Sequence, residues 1–488
     1  MLKDLFKGSA IYGIAPFIPK ILTIVLLPVL TQYLTSTDYG IIGTITSITF
    51  AVQALQDLGL KTLLPNYFYK CRAQYKVMWR EVYGFLSIWM VLFALIQGVL
   101  LYFLIPAEAV SNRWTIIILS NFSTVFFGPT AIIGQMYYQL NLKPTPVAIR
   151  AVFSGVTTIL VNFICVVVFR WGYLGAYVGS FAGTFLANLT YWPVVNRKLG
   201  LSPIFNFKWR SIKSWLKISM PTIPHYYSAY LMHSSNVVAM NVYKKPQSEI
   251  GQLTMSQNIS GIFETVFNAI NQVWSPMAYR YIRDKNVNEM KRILYVYIIA
   301  TFSMTFIYSL WSREIYGFLI KNAEIAATYK YSIILVMALN YRPTYVYFCN
   351  YLFYHERTVQ LLKISFVSGL ICCSIYFSLI PYWGVYAALI GFYVGCLYFG
   401  YSGYFNRYYK EKTIYHFKWY MWLPVQLSLT VVSYLCVDLH LLPKLIVSIF
   451  FLTVMLCLFT SKVSNVFRYV KASEKVSSFL LRRKDKVS

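Results

Sequence analysis

Apolar windows of about 20 residues, the length a helix needs to cross the hydrocarbon core of a bilayer, follow one another along almost the whole chain. They lie near residues 8–32, 40–64, 82–105, 114–138, 147–169 and 173–195. A basic stretch from Asn196 to Ser214 interrupts the series. The windows resume near 215–240, 249–276, 293–311, 330–354, 364–381 and 384–405, and two more stand at 419–438 and 443–461. The pattern predicts an all-α polytopic membrane protein with about fourteen transmembrane helices.

Several windows carry residues that lipid should exclude. An ionisable side chain near the centre of a membrane helix costs about 2.5–3.5 kcal/mol on insertion scales, so it faces a cavity or a partner. Lys20, Asp57, Lys61, Glu264 and Arg342 are the residues of this kind. On the second helix Gln53, Asp57 and Lys61 are four apart and share one face. Gln257, Glu264, Asn268 and Asn271 do the same on the eighth, and His225 and His233 stand eight apart on the seventh. Pro16 and Pro19 in the first window, with Pro221 and Pro224 in the seventh, are candidate bending points or fixed kinks.

Composition agrees with the windows. Hydrophobic residues make up 58% of the 488 and charged residues only 12%, against about 25% charged in a soluble domain. The net charge of +28 raises the possibility of nucleic-acid binding, but the basic residues fall in clusters between windows. Most of the 44 Lys and Arg occupy alternate connections, such as Lys70 to Arg80, Arg197 to Lys213 and Arg407 to Lys418. The opposite connections hold few, among them Arg113, Arg170, Lys244 and Lys245. By the positive-inside rule both termini are expected in the cytoplasm, and nucleic acid is not an expected partner. The basic segment 462–488 reads as an amphipathic helix lying on the inner membrane surface. The eight cysteines form no CxxC pair and have no accompanying histidines, so neither a disulfide framework nor a metal site is expected. Met1 to Leu34 reads as a retained first span, because Pro16, Pro19 and Lys20 interrupt its apolar core.

Three landmarks recur in the same order. Pro16-Phe17-Ile18-Pro19 matches Pro221-Thr222-Ile223-Pro224, and Pro129-Thr130 with Ser154-Gly155 matches Pro343-Thr344 with Ser368-Gly369. Trp171-Gly172 through Gly175, Gly179 and Gly183 matches Trp383-Gly384 through Ala387, Gly391 and Gly395. The expected organisation is an N-terminal six-helix lobe over 1–195, a cytoplasmic linker at 196–214 and a parallel six-helix lobe over 215–405. Two further helices over 419–461 and the basic tail complete it.

The opening of the chain resembles a known family. Leu27-Pro28, Leu30-Thr31-Gln32-Tyr33-Leu34, Asp38-Tyr39-Gly40 and Asp57-Leu58-Gly59-Leu60 are similar to the start of polysaccharide-biosynthesis flippases of the O-antigen translocase type. These belong to the multidrug, oligosaccharidyl-lipid and polysaccharide exporter superfamily. The resemblance implies a multi-pass protein of a bacterial inner membrane that moves an undecaprenyl-diphosphate-linked oligosaccharide from the cytoplasmic to the periplasmic leaflet. Alternating access between two lobes would carry the movement. A polysaccharide polymerase and a chain-length regulator are then candidate partners beside the substrate and membrane lipids.

For such a substrate Lys20, Lys61 and Arg342 are the expected cationic path, arginine being suited to bidentate phosphate contact. Asp57, Glu264, Gln53, Asn268, His225 and His233 are the expected polar cavity or ion-coupling residues. Each has a plainer reading: Asp57 and Lys61 pair with each other, Lys61 reaches the headgroups, Glu264 neutralises Arg342, and the histidines are core polar groups. No cofactor is expected, and coupling to Na+ or H+ is open. An exporter of amphipathic drugs or metabolites is the alternative, followed by a membrane polysaccharide polymerase. Enzymatic activity is not expected, because no acid, base and nucleophile converge in the sequence.

Overall fold

With no water to satisfy them, backbone groups in a bilayer must bond within their own segment, and the described residues obey by being mostly helical. The computed structural model describes residues 17–463, apart from 71, 142, 414, 416 and 417, and no strand occurs among the described residues. Pro16, Cys71 and the basic segment 464–488 lie outside them. Every apolar window holds helix. Seven helices among the described residues are individually long and apolar enough to cross a membrane; the windows near 40–64, 215–240 and 330–354 are built from shorter segments joined by turns. The protein is a multi-pass membrane protein.

The helices group into two units interleaved along the sequence. The first runs to Ile262 and takes in Ile315–Tyr331 and Ser365–Gly395; the second holds Phe263–Glu314, Ser332–Ile364 and the chain from Cys396.

In the first unit, α1 (Phe17–Leu30) is followed by α2 (Ser36–Gln53), α3 (Leu63–Lys70), α4 (Tyr75–Leu104), α5 (Arg113–Leu140), α6 (Thr145–Asn162) and α7 (Gly172–Leu189). Then come α8 (Trp209–Ser219), α9 (Ile223–His233), α10 (Ser235–Val242) and the first part of α11 (Gln247–Arg283). Thr35 caps α2 in a full capping box with Asp38, which fixes where the helix begins. Helix α8 straddles the expected boundary at 214/215. It is amphipathic, burying Ile212, Trp215 and Ser219 while leaving Trp209 and Ile218 exposed.

Two devices hold this unit together. The first is a glycine contact between α2 and α11. A Cβ at Gly40 would lie 1.9 Å from the Gln247 carbonyl oxygen, and one at Gly251 would lie 1.7 Å from that of Ser36. Only glycine permits so close an approach, the small-residue packing that membrane helices use where lipid gives no hydrophobic drive. Thr44 Oγ1 donates to Gln247 Oε1 at 3.3 Å beside it. Glu324 clasps both helices, accepting from Ser36 Oγ at 2.5 Å and from Gln252 Nε2 at 3.1 Å.

The second device is a packing used twice. Gly175, Gly179 and Gly183 of α7 sit against Cys165, Asn162 and Thr158 on α6 and its continuation. Gly391 and Gly395 of α17 (Val385–Tyr401) sit in the same way against Tyr376 and Cys372 of α16 (Thr358–Trp383). Gly172 and Gly384 open the two glycine-bearing helices with φ of +53° and +52°. Each faces an acidic residue from the first turn of another helix, Asp38 for Gly172 and Glu249 for Gly384. The sequence repeat is therefore also a repeat of contacts, extended by the pair Asp38 and Glu249.

The second unit is built around α12 (Val287–Leu310). It also holds α13 in part (Ser312–Leu319), the end of α14 (Tyr329–Ala338), α15 (Arg342–Tyr354), α18 (Trp419–Cys436) and α19 (Leu441–Val463). An ion pair fastens α19: Lys444, 0% exposed, donates from Nζ to Oε1 of the half-buried Glu314 at 2.5 Å. Arg313 and Asp438 make a looser pair at 4.0 Å nearby.

Two outcomes are expected. In a background without native cysteines, cysteines at Thr44 and Gln247 should crosslink under mild oxidation, and adding Gly251→Leu should abolish the crosslink by forcing α2 and α11 apart. Lys444→Met should lower stability by about 1–3 kcal/mol, because it removes a charge-assisted bond from a carboxylate that is 35% exposed, and Glu314→Gln in the same chain should restore part of it, read by thermal unfolding in detergent.

Candidate functional site

Helix α2 stops at Gln53, in the middle of its apolar window. Residues 54–59 form turns, Leu58 and Gly59 adopt φ of +49° and +72°, and a short 3-10 segment, Leu60–Thr62, leads into α3. The left-handed backbone at Gly59 suits glycine and is strained for Leu58. Gln53, Asp57 and Lys61 therefore do not share a helical face as expected, because no helix connects them. They come together all the same, on the wall of one cavity.

An interrupted membrane helix must find partners for the backbone groups it frees. Some are met by turn bonds within the backbone, such as Leu55 N–H to the Val52 carbonyl and Leu60 N–H to that of Asp57, and others by side chains. Asp57 Oδ1 accepts the Gly59 N–H at 2.9 Å, an Asx turn that uses the carboxylate locally. The indole N–H of Trp89 donates to the Leu55 carbonyl at 2.9 Å and that of Trp79 to Leu64 at 3.2 Å. Ser219 Oγ, from α8, donates to the Leu58 carbonyl at 2.8 Å. Helix α8 is thus a support for the break, and Trp215 Nε1 bonds Tyr67 Oη at 3.1 Å beside it.

The cavity has a volume of about 370 Å3 and is lined by Phe50, Gln53, Ala54, Gln56, Asp57, Lys61, Ile132, Tyr227, Ala229 and Tyr230. One wall is the break, and the opposite wall is α9, where Tyr230 meets Phe50 edge to face at 6.0 Å between ring centroids. The cavity offers an ammonium, a carboxylate already engaged by a backbone amide, two primary amides and two phenols. That set can bind a phosphate-bearing ligand that also presents hydroxyls.

The other expected residues occupy three further places. Lys20 Nζ donates to the Gly261 carbonyl of α11 at 2.8 Å. His233 ends α9 just before a turn at Ser234, with its ring edge to face on Phe392 at 5.2 Å. Its carbonyl accepts from Gln257 Nε2 at 3.0 Å, and the Met232 carbonyl accepts from Tyr376 Oη at 2.9 Å. This second break is also satisfied by side chains, and it divides the expected seventh span, as does the 3-10 turn at Met220–Thr222. The side chain of His225 lies outside those described.

In the second unit Arg342 and Asn268 are brought together, with Nη2 donating to Oδ1 at 2.5 Å. Arg342 also stands at a break, opening α15 directly after a 3-10 turn at Leu339–Tyr341. Pro343 supplies the cause, having no N–H and clashing with a preceding carbonyl. Gln426 Nε2 donates to the freed Asn340 carbonyl at 2.9 Å, while Thr305 Oγ1 donates to Asn340 Oδ1 at 2.7 Å. Glu264 is half-buried one turn from Asn268 on α11. Among the described residues no group of three His, Cys, Asp or Glu is placed to hold a metal.

Sequence reasoning missed Tyr227 and Tyr230 as lining residues, and Trp79, Trp89 and Ser219 as supports. The signal available was Asp57-Leu58-Gly59, an Asx-turn sequence inside an apolar window.

Comparison with known proteins follows from this geometry. The sequence model of the family described as "Polysaccharide biosynthesis protein" matches residues 5–282, more than half of the chain. No curated protein sequence matches the chain. Among solved structures the chain is similar to one titled as the lipid II flippase MurJ in an inward closed conformation, at TM-score 0.70 and 14% identity, covering 93% of this chain and 99% of that one. It is also similar to an inward-facing multidrug resistance MATE family transporter of the MOP superfamily, at TM-score 0.59 and 14% identity over 82% and 98% of the two chains. The eukaryotic MATE transporter AtDTX14 gives 0.54 and 12% over 89% and 99%. At these identities the likeness is one of fold.

Substitutions at the break should separate its two roles. Gly59→Val should cost about 1–2 kcal/mol through the left-handed backbone, read as a lower melting temperature in detergent. Asp57→Asn keeps an acceptor for the Gly59 N–H and should melt near wild type, whereas Asp57→Leu should not.

Proposed function

Because the chain belongs to the polysaccharide biosynthesis protein family, we propose that it is a flippase for an undecaprenyl-diphosphate-linked oligosaccharide, an O-antigen or capsule repeat unit. The substrate would move from the cytoplasmic to the periplasmic leaflet of a bacterial inner membrane. The observation that carries this reading is the cavity at the α2 break, where Lys61 stands among amides and phenols. An ammonium meets a diphosphate, and amides and rings meet a sugar. Lys20, whose Nζ donates to the Gly261 carbonyl, and Arg342, whose Nη2 donates to Asn268 Oδ1, are the other two cations proposed for the path.

In this reading fourteen helices form two parallel six-helix lobes with two C-terminal helices, and both termini face the cytoplasm. The twofold use of the glycine packing on α7 and α17 supports the lobes. The basic clusters of alternate connections support the orientation. Transport proceeds by alternating access, in which the glycine contact of α2 and α11 is the one made on the periplasmic side and broken when the path opens outward. Glu264 and the histidines are the candidates for ion coupling.

The test is translocation of a fluorescent undecaprenyl-diphosphate oligosaccharide in proteoliposomes. Lys61→Gln, Lys20→Gln and Arg342→Gln are each expected to lower the rate by about tenfold, the effect of losing roughly 1.4 kcal/mol of charge-assisted binding. Wild-type rates in all three, at normal protein abundance, would sink the cationic path. Wild-type protein that moves amphipathic cations but no lipid-linked sugar would favour the drug-exporter alternative.

A further inference from the structure

A second cavity, of about 570 Å3, lies within the first unit and shares Phe50, Gln53 and Gln56 with the cavity at the α2 break. Its volume falls within the roughly 300–1,000 Å3 range of small-molecule sites. None of the described residues that line it carries a charge at neutral pH. The wall is nonetheless strongly polar, with hydroxyls and amides from four helices: Thr49 of α2, Gln97 of α4, Ser120 of α5, and Ser180 and Asn188 of α7. Phe93 and Tyr177 supply ring faces.

Gln97 marks the cavity as more than a packing gap. It is 1% exposed, and its Nε2 finds no hydrogen-bond acceptor. A buried amide donor left unpaired is destabilising, and a native interior tolerates it where a water or a ligand supplies the acceptor. The neighbouring hydroxyls are poised differently. Thr49 Oγ1 and Ser180 Oγ donate back to the carbonyls of Ile45 and Ala176 at 2.8 and 3.1 Å, which leaves their lone pairs to accept. Ser120 is held by the Ile116 carbonyl and the Tyr177 hydroxyl. The wall therefore presents a donor at Gln97 and acceptors at Thr49 and Ser180.

That mixture selects a chemical class. A metal or ammonium ion would want a carboxylate, and an anion would want a cation, because a charge taken into such a site without a counter-charge pays its desolvation unrelieved. A neutral polyol loses nothing of the kind, since each hydroxyl both donates and accepts. We infer that this cavity is a carbohydrate compartment adjoining the charged one, and that it takes the first sugar of the lipid-linked substrate only when that sugar is neutral. The inference rests on the flippase reading. The two compartments divide the substrate: Lys61 meets the diphosphate, Gln53 and Gln56 stand between, and Gln97 reads hydroxyl or acetamido oxygens.

The experiment measures binding to the full-length protein in nanodiscs with three probes: undecaprenyl diphosphate alone, the same lipid bearing one N-acetylhexosamine, and the same lipid bearing one hexuronic acid. Wild type is expected to bind the neutral conjugate at least about tenfold more tightly than either other probe. Gln97→Leu, close to Gln in volume, should remove that preference and leave the bare lipid unchanged, and Thr184→Val on the same wall should weaken it. Thermal unfolding of both variants checks that the fold survives. Equal binding of the neutral conjugate and the bare lipid by wild type, equal binding of the neutral and acidic conjugates, or a preference that survives in both variants, overturns the carbohydrate compartment while leaving the diphosphate reading intact. Bare-lipid binding that does not fall in Lys61→Gln overturns the flippase reading instead, and this inference with it.

Discussion

A backbone amide that leaves its helix inside a bilayer must be bonded by something else, and this requirement shapes the structure more than any other. Helical windows are interrupted near Asp57, Ser234 and Asn340. At each interruption some carbonyls are taken up by side chains that sequence gives no reason to group together: Trp89 and Ser219 at the first, Tyr376 and Gln257 at the second, Gln426 at the third. The polar residues of the apolar windows are thus of two kinds. Some repair the backbone, and the others, released from that duty, line the cavities. Asp57 belongs to the first kind as much as to the second, because its carboxylate holds the Gly59 N–H.

Much of this was legible in the sequence. Apolar windows gave the helices, since a period of hydrophobicity long enough to span a bilayer has few other solutions. The paired glycine patterns after Trp171 and Trp383 correspond to two helix pairs packed through the same small residues, because a glycine stripe has no use but close approach. The breaks were not legible by the same means. Averaged hydropathy passes smoothly over 54–64, where Leu55, Leu58, Leu60, Leu63 and Leu64 keep the window apolar while Asp57-Leu58-Gly59 turns the chain. Turn chemistry is local, and it was outvoted by a window of twenty residues. The same averaging absorbed the amphipathic helix Trp209–Ser219 into a linker and the start of a span.

Site residues followed the same division. That Lys61, Asp57 and Gln53 belong together was readable from the cost of placing them in lipid. How they come together was not, because a continuous helix and a broken one can each gather residues four apart. Partners from distant sequence, such as Tyr227 and Tyr230 facing the break, carry no sign of it in the chain.

The repeat is kept in its packing and lost in its interruptions. Gly172 and Gly384 share backbone conformation, acidic neighbour and helix contact. Yet the chain breaks at 54–59 after Ser36–Gln53 while Gln247–Arg283, which packs against that helix, is unbroken. Conversely the chain breaks before Arg342 and Pro343, whereas Arg113–Leu140 runs intact through Pro129. Contacts that only pack helices tolerate little change: Gly179 and Gly183 match Gly391 and Gly395, and only Gly175 gives way, to Ala387. A break can be moved wherever a Trp, Ser or Gln stands ready to bond the freed carbonyl. Once the packing of a duplicated helix pair is fixed, moving breaks is the cheapest way to give the two copies different chemistry. The charged and polar residues of this chain, gathered at non-equivalent interruptions, are where that freedom was used.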